Sequence, residues 1–232
     1  MDTQYPETDN KSAIIRLFHV SKRFGAQAAL TDVNLDVENN EFLFLTGPSG
    51  AGKSTLLKLL YLADTISEGQ ILLKGMNLSR LPKKRLPFLR RDIGVVFQDY
   101  KLIPTRTVYD NIALVLEVAG ANGKFVKRKV SHLLRTVDME HKAGAYPQSL
   151  SGGEQQRVAV ARAICGDPDI VLADEPTGSL DAESAKVIMD LLSGIHARGA
   201  TVLVATHDEA LLKNTRRRIV TLKQGCIVDQ GF

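Results

Sequence analysis

Gly47-Pro48-Ser49-Gly50-Ala51-Gly52-Lys53-Ser54-Thr55 is the stretch on which the reading of this chain turns. It follows the spacing Gly, four residues, Gly-Lys-Ser/Thr of a phosphate-binding loop. Before it stands Glu41-Phe42-Leu43-Phe44-Leu45, a short apolar run of strand type. After it, Thr55-Leu56-Leu57-Lys58-Leu59-Leu60 is made of strong helix formers. Strand, glycine loop and helix in that order let backbone N–H groups converge on phosphate oxygens at the positive end of a new helix. Lys53 adds a point charge and Ser54 a hydroxyl suited to the Mg²⁺ that nucleotide phosphates bring with them. A Gly-rich turn capping an ordinary helix is the plainer alternative, and the flanking strand and helix weigh against it.

The rest of the composition limits what such a loop can belong to. The chain has 232 residues, 44% hydrophobic and 24% charged, enough for one α/β domain or one core with inserted subdomains. Its longest apolar runs, such as Ile112 to Leu116 and Val202 to Ala205, fall far short of the roughly 18 residues that cross a bilayer, so the chain is not expected to span a membrane by itself. Residues 1–12 are polar, lack the order of a secretion signal and read as a flexible extension. Cys165 and Cys226 have neither metal-ligand spacing nor a secreted context and read as reduced cytosolic thiols. The net charge of +4 gathers at Lys83-Lys84-Arg85, Arg90-Arg91, Lys127-Arg128-Lys129 and Arg216-Arg217-Arg218. Solvated surface, nucleic acid and an anionic membrane surface would all accept that charge.

Along the chain, Ile14 to Val20 and Leu30 to Val37 read as strands, the second half-exposed, with Ser21-Lys22-Arg23-Phe24-Gly25 as a turn between them. Phe24 there either packs in the core or stacks on a base near the phosphate loop. Gly69 to Lys74 and Ile93 to Phe97 are further strands, with Gln98 directly after the second. The character then changes. Thr107-Val108-Tyr109-Asp110 has the form of a capping box opening one helix. A second helix has Val126, Val130, Leu133, Leu134 and Val137 on one face, with Gly123 and Gly144 beyond its ends. This section reads as a helical lobe, about residues 99–160, inserted in the core. Strands at Ile170–Ala173 and Thr201–Ala205 flank a helix from Ala182 to Ala197, an alternation that implies a parallel sheet, and Arg218 to Val228 reads as a hairpin.

Two more stretches carry chemistry. Ile170-Val171-Leu172-Ala173-Asp174-Glu175 ends a buried strand with two carboxylates, where α/β sheets place ligand groups. Asp174 suits Mg²⁺, and Glu175 suits the general base that activates an attacking water. Leu150-Ser151-Gly152-Gly153-Glu154-Gln155-Gln156-Arg157 opens a helix reaching about Ala163. Its start is either a second anion site or simply a Ser N-cap with Glu154 as its capping partner.

Taken together these stretches resemble the ATP-binding cassette family over nearly the whole chain, and the run from Leu150 to Arg157 is the most specific part of the likeness. The resemblance implies a P-loop ATPase with a RecA-like core, an antiparallel β subdomain and a helical subdomain. It places Phe24 on the adenine, Gly47 to Thr55 on the phosphates, and Gln98 on Mg²⁺ and the catalytic water. Ser54 and Asp174 go to the metal, Glu175 is the base, and His207 is a switch residue near the γ-phosphate. Ser151, Gly152 and Gly153 belong by the same likeness to the site of a second copy, with ATP held between two chains of a homodimer. Ser179-Leu180-Asp181 matches the loop that faces the opposite site, with Ser179 where relatives have Asn.

Within the family, Pro87-Phe88-Leu89-Arg90-Arg91, Val96-Phe97-Gln98-Asp99-Tyr100 and Arg106-Thr107-Val108-Tyr109-Asp110-Asn111 resemble the cell-division cassettes. That likeness implies an integral membrane partner resembling FtsX, indirect control of peptidoglycan hydrolases, and a peripheral place on the cytoplasmic face of the bacterial inner membrane. Lipoprotein-export and macrolide-export ATPases are similar in the same stretches. A soluble nucleic-acid or translation cassette is favoured only by the basic charge and lacks the second cassette or long insertions usual there. No Asn-Lys-x-Asp stretch for reading guanine occurs.

Overall fold

The structure, a computed structural model, describes residues 13–213 and 215–231; the expected extension over residues 1–12 lies outside them. Its first sheet is built at the N-terminal end, where β1 (Ala13–Phe24) pairs antiparallel with β2 (Gln27–Glu38). β3 (Phe42–Thr46) leads into the phosphate loop and α1 (Lys53–Leu60). β4 (Glu68–Leu73) returns to β1, and β5 (Met76–Asn77) completes an antiparallel sheet of order β2-β1-β4-β5. After α2 (Leu86–Arg91), β6 (Ile93–Val96) enters the second sheet.

Three helices follow: α3 (Val108–Val118), α4 (Gly123–Thr136) and α5 (Gly152–Ile164). β7 (Ile170–Asp174), α6 (Ala182–Ala197), β8 (Thr201–Ala205) and the short α7 (Glu209–Leu212) come next. β9 (Arg218–Lys223) and β10 (Cys226–Gly231) close the chain as a hairpin.

The second sheet runs β10-β9-β3-β8-β7-β6, and β9, β3, β8, β7 and β6 are parallel. Parallel strands need crossovers, and helices on both faces then bury them completely. This is why Phe42 to Leu45, Ile170 to Ala173 and Thr201 to Ala205 are apolar without alternation and buried throughout, save for the buried hydroxyl of Thr201. One face of the sheet packs with α1 and the antiparallel sheet, through Leu56, Leu60, Leu30 and Val33. The other packs with α3 to α6, and a single apolar cluster runs from Phe44 and Val204 through Val160 and Ile164 to Val130 and Leu134. Truncating a fully buried Leu such as Leu56 costs about 2–5 kcal/mol.

Register decides where the chemistry gathers. Leu45 lies beside Ala205, Ala205 beside Asp174, and Val96 beside Ala173. Four parallel strands therefore end in one row, and the residues just beyond them, at Gly47, Gln98, Glu175 and His207, meet at one edge.

The local expectations hold in most places. Both capping boxes form: Thr107 with Asp110, and Ser151 with Glu154. Two differ. Gly123 is the first residue of α4 rather than outside it, because the Asn122 side chain accepts from the Phe125 amide and caps the helix one residue earlier. Ser21 to Phe24 are strand, not turn. Register shifts between Leu17 and Val20 and between Val20 and Lys22 disturb the alternation that would have revealed it, and Phe24 still pairs with Gln27 at the strand's end.

Candidate active site

The phosphate loop is set by backbone constraints that only its sequence meets. Gly47 has φ 139°, and a Cβ there would lie 2.0 Å from the Leu222 carbonyl oxygen, so the C-terminal hairpin walls the loop. Gly52 has φ 109° and would bring a Cβ within 2.7 Å of the Ala29 carbonyl oxygen. Gly52 is also the N-cap of α1, with no side-chain cap and no acidic residue in the first turn, so the first amides of α1 are left for an anion. The Gly225 amide donates to the Ala51 carbonyl at 3.1 Å, tying the hairpin turn to the loop.

The side chains around the loop form one network. Lys53, buried, donates Nζ to the Gly47 carbonyl at 2.7 Å and the Pro48 carbonyl at 3.3 Å, and lies 3.6 Å from Oε1 of Glu175. The Ser54 hydroxyl donates to Oδ1 of Asp174 at 3.0 Å. Burial is the largest influence on Asp174 and raises its carboxyl above the usual range; the Ser54 hydrogen bond works the other way and the Glu175 charge adds to the rise. A half-buried carboxylate paired with a hydroxyl is a set of hard oxygen donors that fits Mg²⁺. Among the described residues no cluster of three or more His, Cys, Asp or Glu could hold a metal ion.

Glu175 is buried and held in a left-handed backbone, φ 46°, with its amide donating to the Ala205 carbonyl at 2.8 Å. His207 meets its carboxylate through Nδ1 and through its own amide. A cleft of about 460 Å³ opens over this network, lined among others by Phe24, Ser49, Gly50, Lys53, Ser54, Thr55, Gln98, Glu175 and His207. Phe24 is 50% exposed and so is not a core residue. Lys22 stands 4.7 Å from its ring centroid, itself fixed by Asp64 at 2.5 Å and the Thr65 carbonyl at 2.8 Å. Cation and ring together suit an electron-rich planar base.

Gly47, Pro48 and Asp174 do not line the cleft, whereas Ala51 and Gly52 do. Ser151, Gly152 and Gly153 do not reach it. They sit at the start of α5, with Ser151 exposed and Gly153 against the Ser184 side chain. Gln27, Ala28 and Ala29 also line the cleft, and Leu222 and Gly225 close on the loop. These were invisible in the sequence because their contacts are long-range and their residue types carry no pattern.

Comparison with known proteins agrees with this geometry. The model of the ABC transporter family matches residues 30–178. The cell division ATP-binding protein FtsE of Escherichia coli K12 is 47% identical over 213 residues, covering 91% of this chain and 96% of that protein. FtsE of Streptococcus pneumoniae serotype 2 is 45% identical over 217 residues, covering 93% and 94%. Among solved structures, the dimeric post-hydrolysis form of the ATP-binding cassette MJ0796 bound to ADP and Pi superposes with a TM-score of 0.86. It has 36% identity and covers 94% of this chain and 97% of that one. The chain belongs to the ABC transporter family, as one of its ATP-binding, ATP-hydrolysing cassettes.

Proposed function

We propose that this chain is the ATPase subunit of an FtsE/FtsX-type complex acting in bacterial cell division. The observation that carries the hydrolytic part is the convergence of Lys53, Ser54, Asp174, Glu175 and His207 at the ends of adjoining parallel strands. The cell-division part rests on 45–47% identity to FtsE proteins along nearly the full length of both chains.

In this reading Phe24 stacks on adenine, and the amides of residues 50–55 together with Lys53 hold the phosphates. Ser54, Asp174 and Gln98 would hold Mg²⁺, which when bound would neutralise charge on the β- and γ-phosphates. Glu175 accepts the proton of the attacking water, Gln98 orients that water, and His207 fixes Glu175 and faces the γ-phosphate. Ser151, Gly152 and Gly153 act on the nucleotide of a second copy. Two features support that placement: the capping box satisfies part of the α5 start while leaving amides of its first turn available, and these residues lie outside the chain's own cleft. Closure of a homodimer on ATP follows, and reopening after hydrolysis.

Residues 13–232 act as one cassette, with about 99–160 as its helical subdomain. Among the described residues no helix is long and apolar enough to cross a membrane, so the stroke would pass to an integral partner resembling FtsX, docked on that subdomain at the cytoplasmic face. Peptidoglycan hydrolases would be its indirect target. An exporter subunit is the second reading, favoured by the likeness to a transporter cassette. Affinity purification of the tagged chain from membranes, with identification of the retained integral protein, separates them. An FtsX-like protein supports the proposal; a substrate-exporting permease in its place overturns it.

A further inference from the structure

Gln98 follows β6 into the cleft, and the residues after it are held from an unexpected direction. Tyr100 and Lys101 both have left-handed backbones, φ 59° and 49°. Residues with a Cβ enter that conformation at a cost, and here two bulky ones do so in succession with no Gly to ease it. Their amides bond within the turn, Tyr100 to the Phe97 carbonyl at 3.2 Å and Lys101 to the Asp99 carbonyl at 2.6 Å, and Lys101 Nζ pairs with Asp99; their carbonyls are held from α5. Arg162 donates Nη1 to the Lys101 carbonyl at 2.6 Å and Nη2 to the Tyr100 carbonyl at 2.7 Å. Its guanidinium is half-buried, and burial draws its pKa below the ordinary arginine value. Its partners in the loop are carbonyl oxygens rather than carboxylates, so a partly desolvated charge is spent on backbone geometry. The same loop touches α5 at its other end: a Cβ on Gly152 would lie 2.9 Å from the Tyr100 hydroxyl. One short turn is thus hydrogen-bonded to the last turn of α5 and packs closely against its first.

We propose that Arg162 is a positioning residue for ATP hydrolysis, holding Tyr100 and Lys101 in their left-handed turn and so fixing Gln98 relative to the helix that presents Ser151 and Gly153. The proposal rests on the reading above, in which those residues complete the ATP site of a second copy. Gln98 then serves the chain's own nucleotide, α5 serves the partner's, and Arg162 joins the two. Displacement of α5 on dimer closure would move Gln98 with it.

The test is steady-state hydrolysis and ATP binding by the full-length chain carrying Arg162→Ala, Arg162→Lys, Lys101→Gly, or Arg162→Ala with Lys101→Gly. Arg162→Ala is expected to lower kcat about 10- to 100-fold, the effect of moving an aligned group by about an ångström, with KM for ATP changed little. Arg162→Lys, a point charge without the two-pronged fork, falls between Ala and the wild type. Lys101→Gly alone is the reference for the double variant. In the double variant it restores much of the loss, because Gly enters a left-handed backbone freely. A purely structural role would lower the unfolding temperature and raise KM together, with no rescue by Gly. Unchanged kcat in Arg162→Ala, or a loss that Lys101→Gly leaves untouched, overturns the proposal. Should Arg162→Ala not fold, Arg162→Lys with and without Lys101→Gly gives the same comparison. Failure of the shared-site reading shows separately, as a Glu175→Gln chain with Arg162 intact that stays monomeric in ATP.

Discussion

His207 holds both oxygens of Glu175: its ring Nδ1 lies 2.8 Å from Oε1, and its backbone amide donates to Oε2 at 3.3 Å. Ring and backbone of one residue thus face one carboxylate oxygen each. With the Glu175 backbone already fixed by Ala205, the carboxylate is oriented before any substrate arrives. Glu175→Gln keeps the shape and loses the base. Turnover should fall by about 10² to 10⁴ with ATP affinity retained. Hydrolysis assays beside nucleotide titrations check this, and unimpaired turnover would remove Glu175 from the role.

Lys53 reaches the Gly47 and Pro48 carbonyls from the first turn of α1, which places its ammonium against the loop. Lys53→Ala should weaken ATP binding by about 10- to 100-fold, the worth of a charge-assisted hydrogen bond to phosphate. Calorimetric titration measures it, and wild-type affinity would count against the phosphate-loop assignment.

Glu154 locks the start of α5 by accepting from Lys142 Nζ at 2.5 Å and from the Ser151 amide at 2.8 Å. The Lys142 hydrogen bond, then the Ser151 one, hold its carboxyl below the usual 4.5. A depressed carboxyl contributes stability that is present above its unfolded pKa and lost as pH falls through the folded one. Glu154→Gln keeps the capping geometry without the charge. It should be less stable than the wild type by about 1 kcal/mol at pH 7, a gap that closes well below pH 4.5. Denaturant midpoints across that range test the sign, and a gap that widens in acid would refute it.

Cys165 lies fully buried in the α5 cluster, where burial pushes its thiol up to about 12, while Cys226 is half-buried at the start of β10. A thiol reagent at pH 8 should therefore label one cysteine per folded chain, with the second reacting only on unfolding. Mass spectrometry identifies which; rapid labelling of Cys165 would contradict its packing.

What could be read in the sequence divides along physical lines. Phosphate loop, acid pair and capping boxes are local patterns, and each formed where its residues stand. The parallel sheet followed from strands alternating with helices. The links between distant segments could not be read. Leu222 against Gly47, Gly225 on Ala51 and Arg162 on the Tyr100 and Lys101 carbonyls depend on register and topology, and none alters the pattern of its own segment. Ser21 to Phe24 misled for the opposite reason, since a bulged strand has no clean period of two.

Sharing of each ATP site between two chains is tested by the mass of Glu175→Gln, measured by light scattering with and without ATP and Mg²⁺. The expected mass is that of one chain without nucleotide and of two with it. Adding Gly153→Asp should abolish the change, since its carboxylate would face the γ-phosphate and a Cβ there lies 2.7 Å from the Ser184 hydroxyl oxygen. A Glu175→Gln chain that binds ATP tightly and remains a monomer would rule out the shared site.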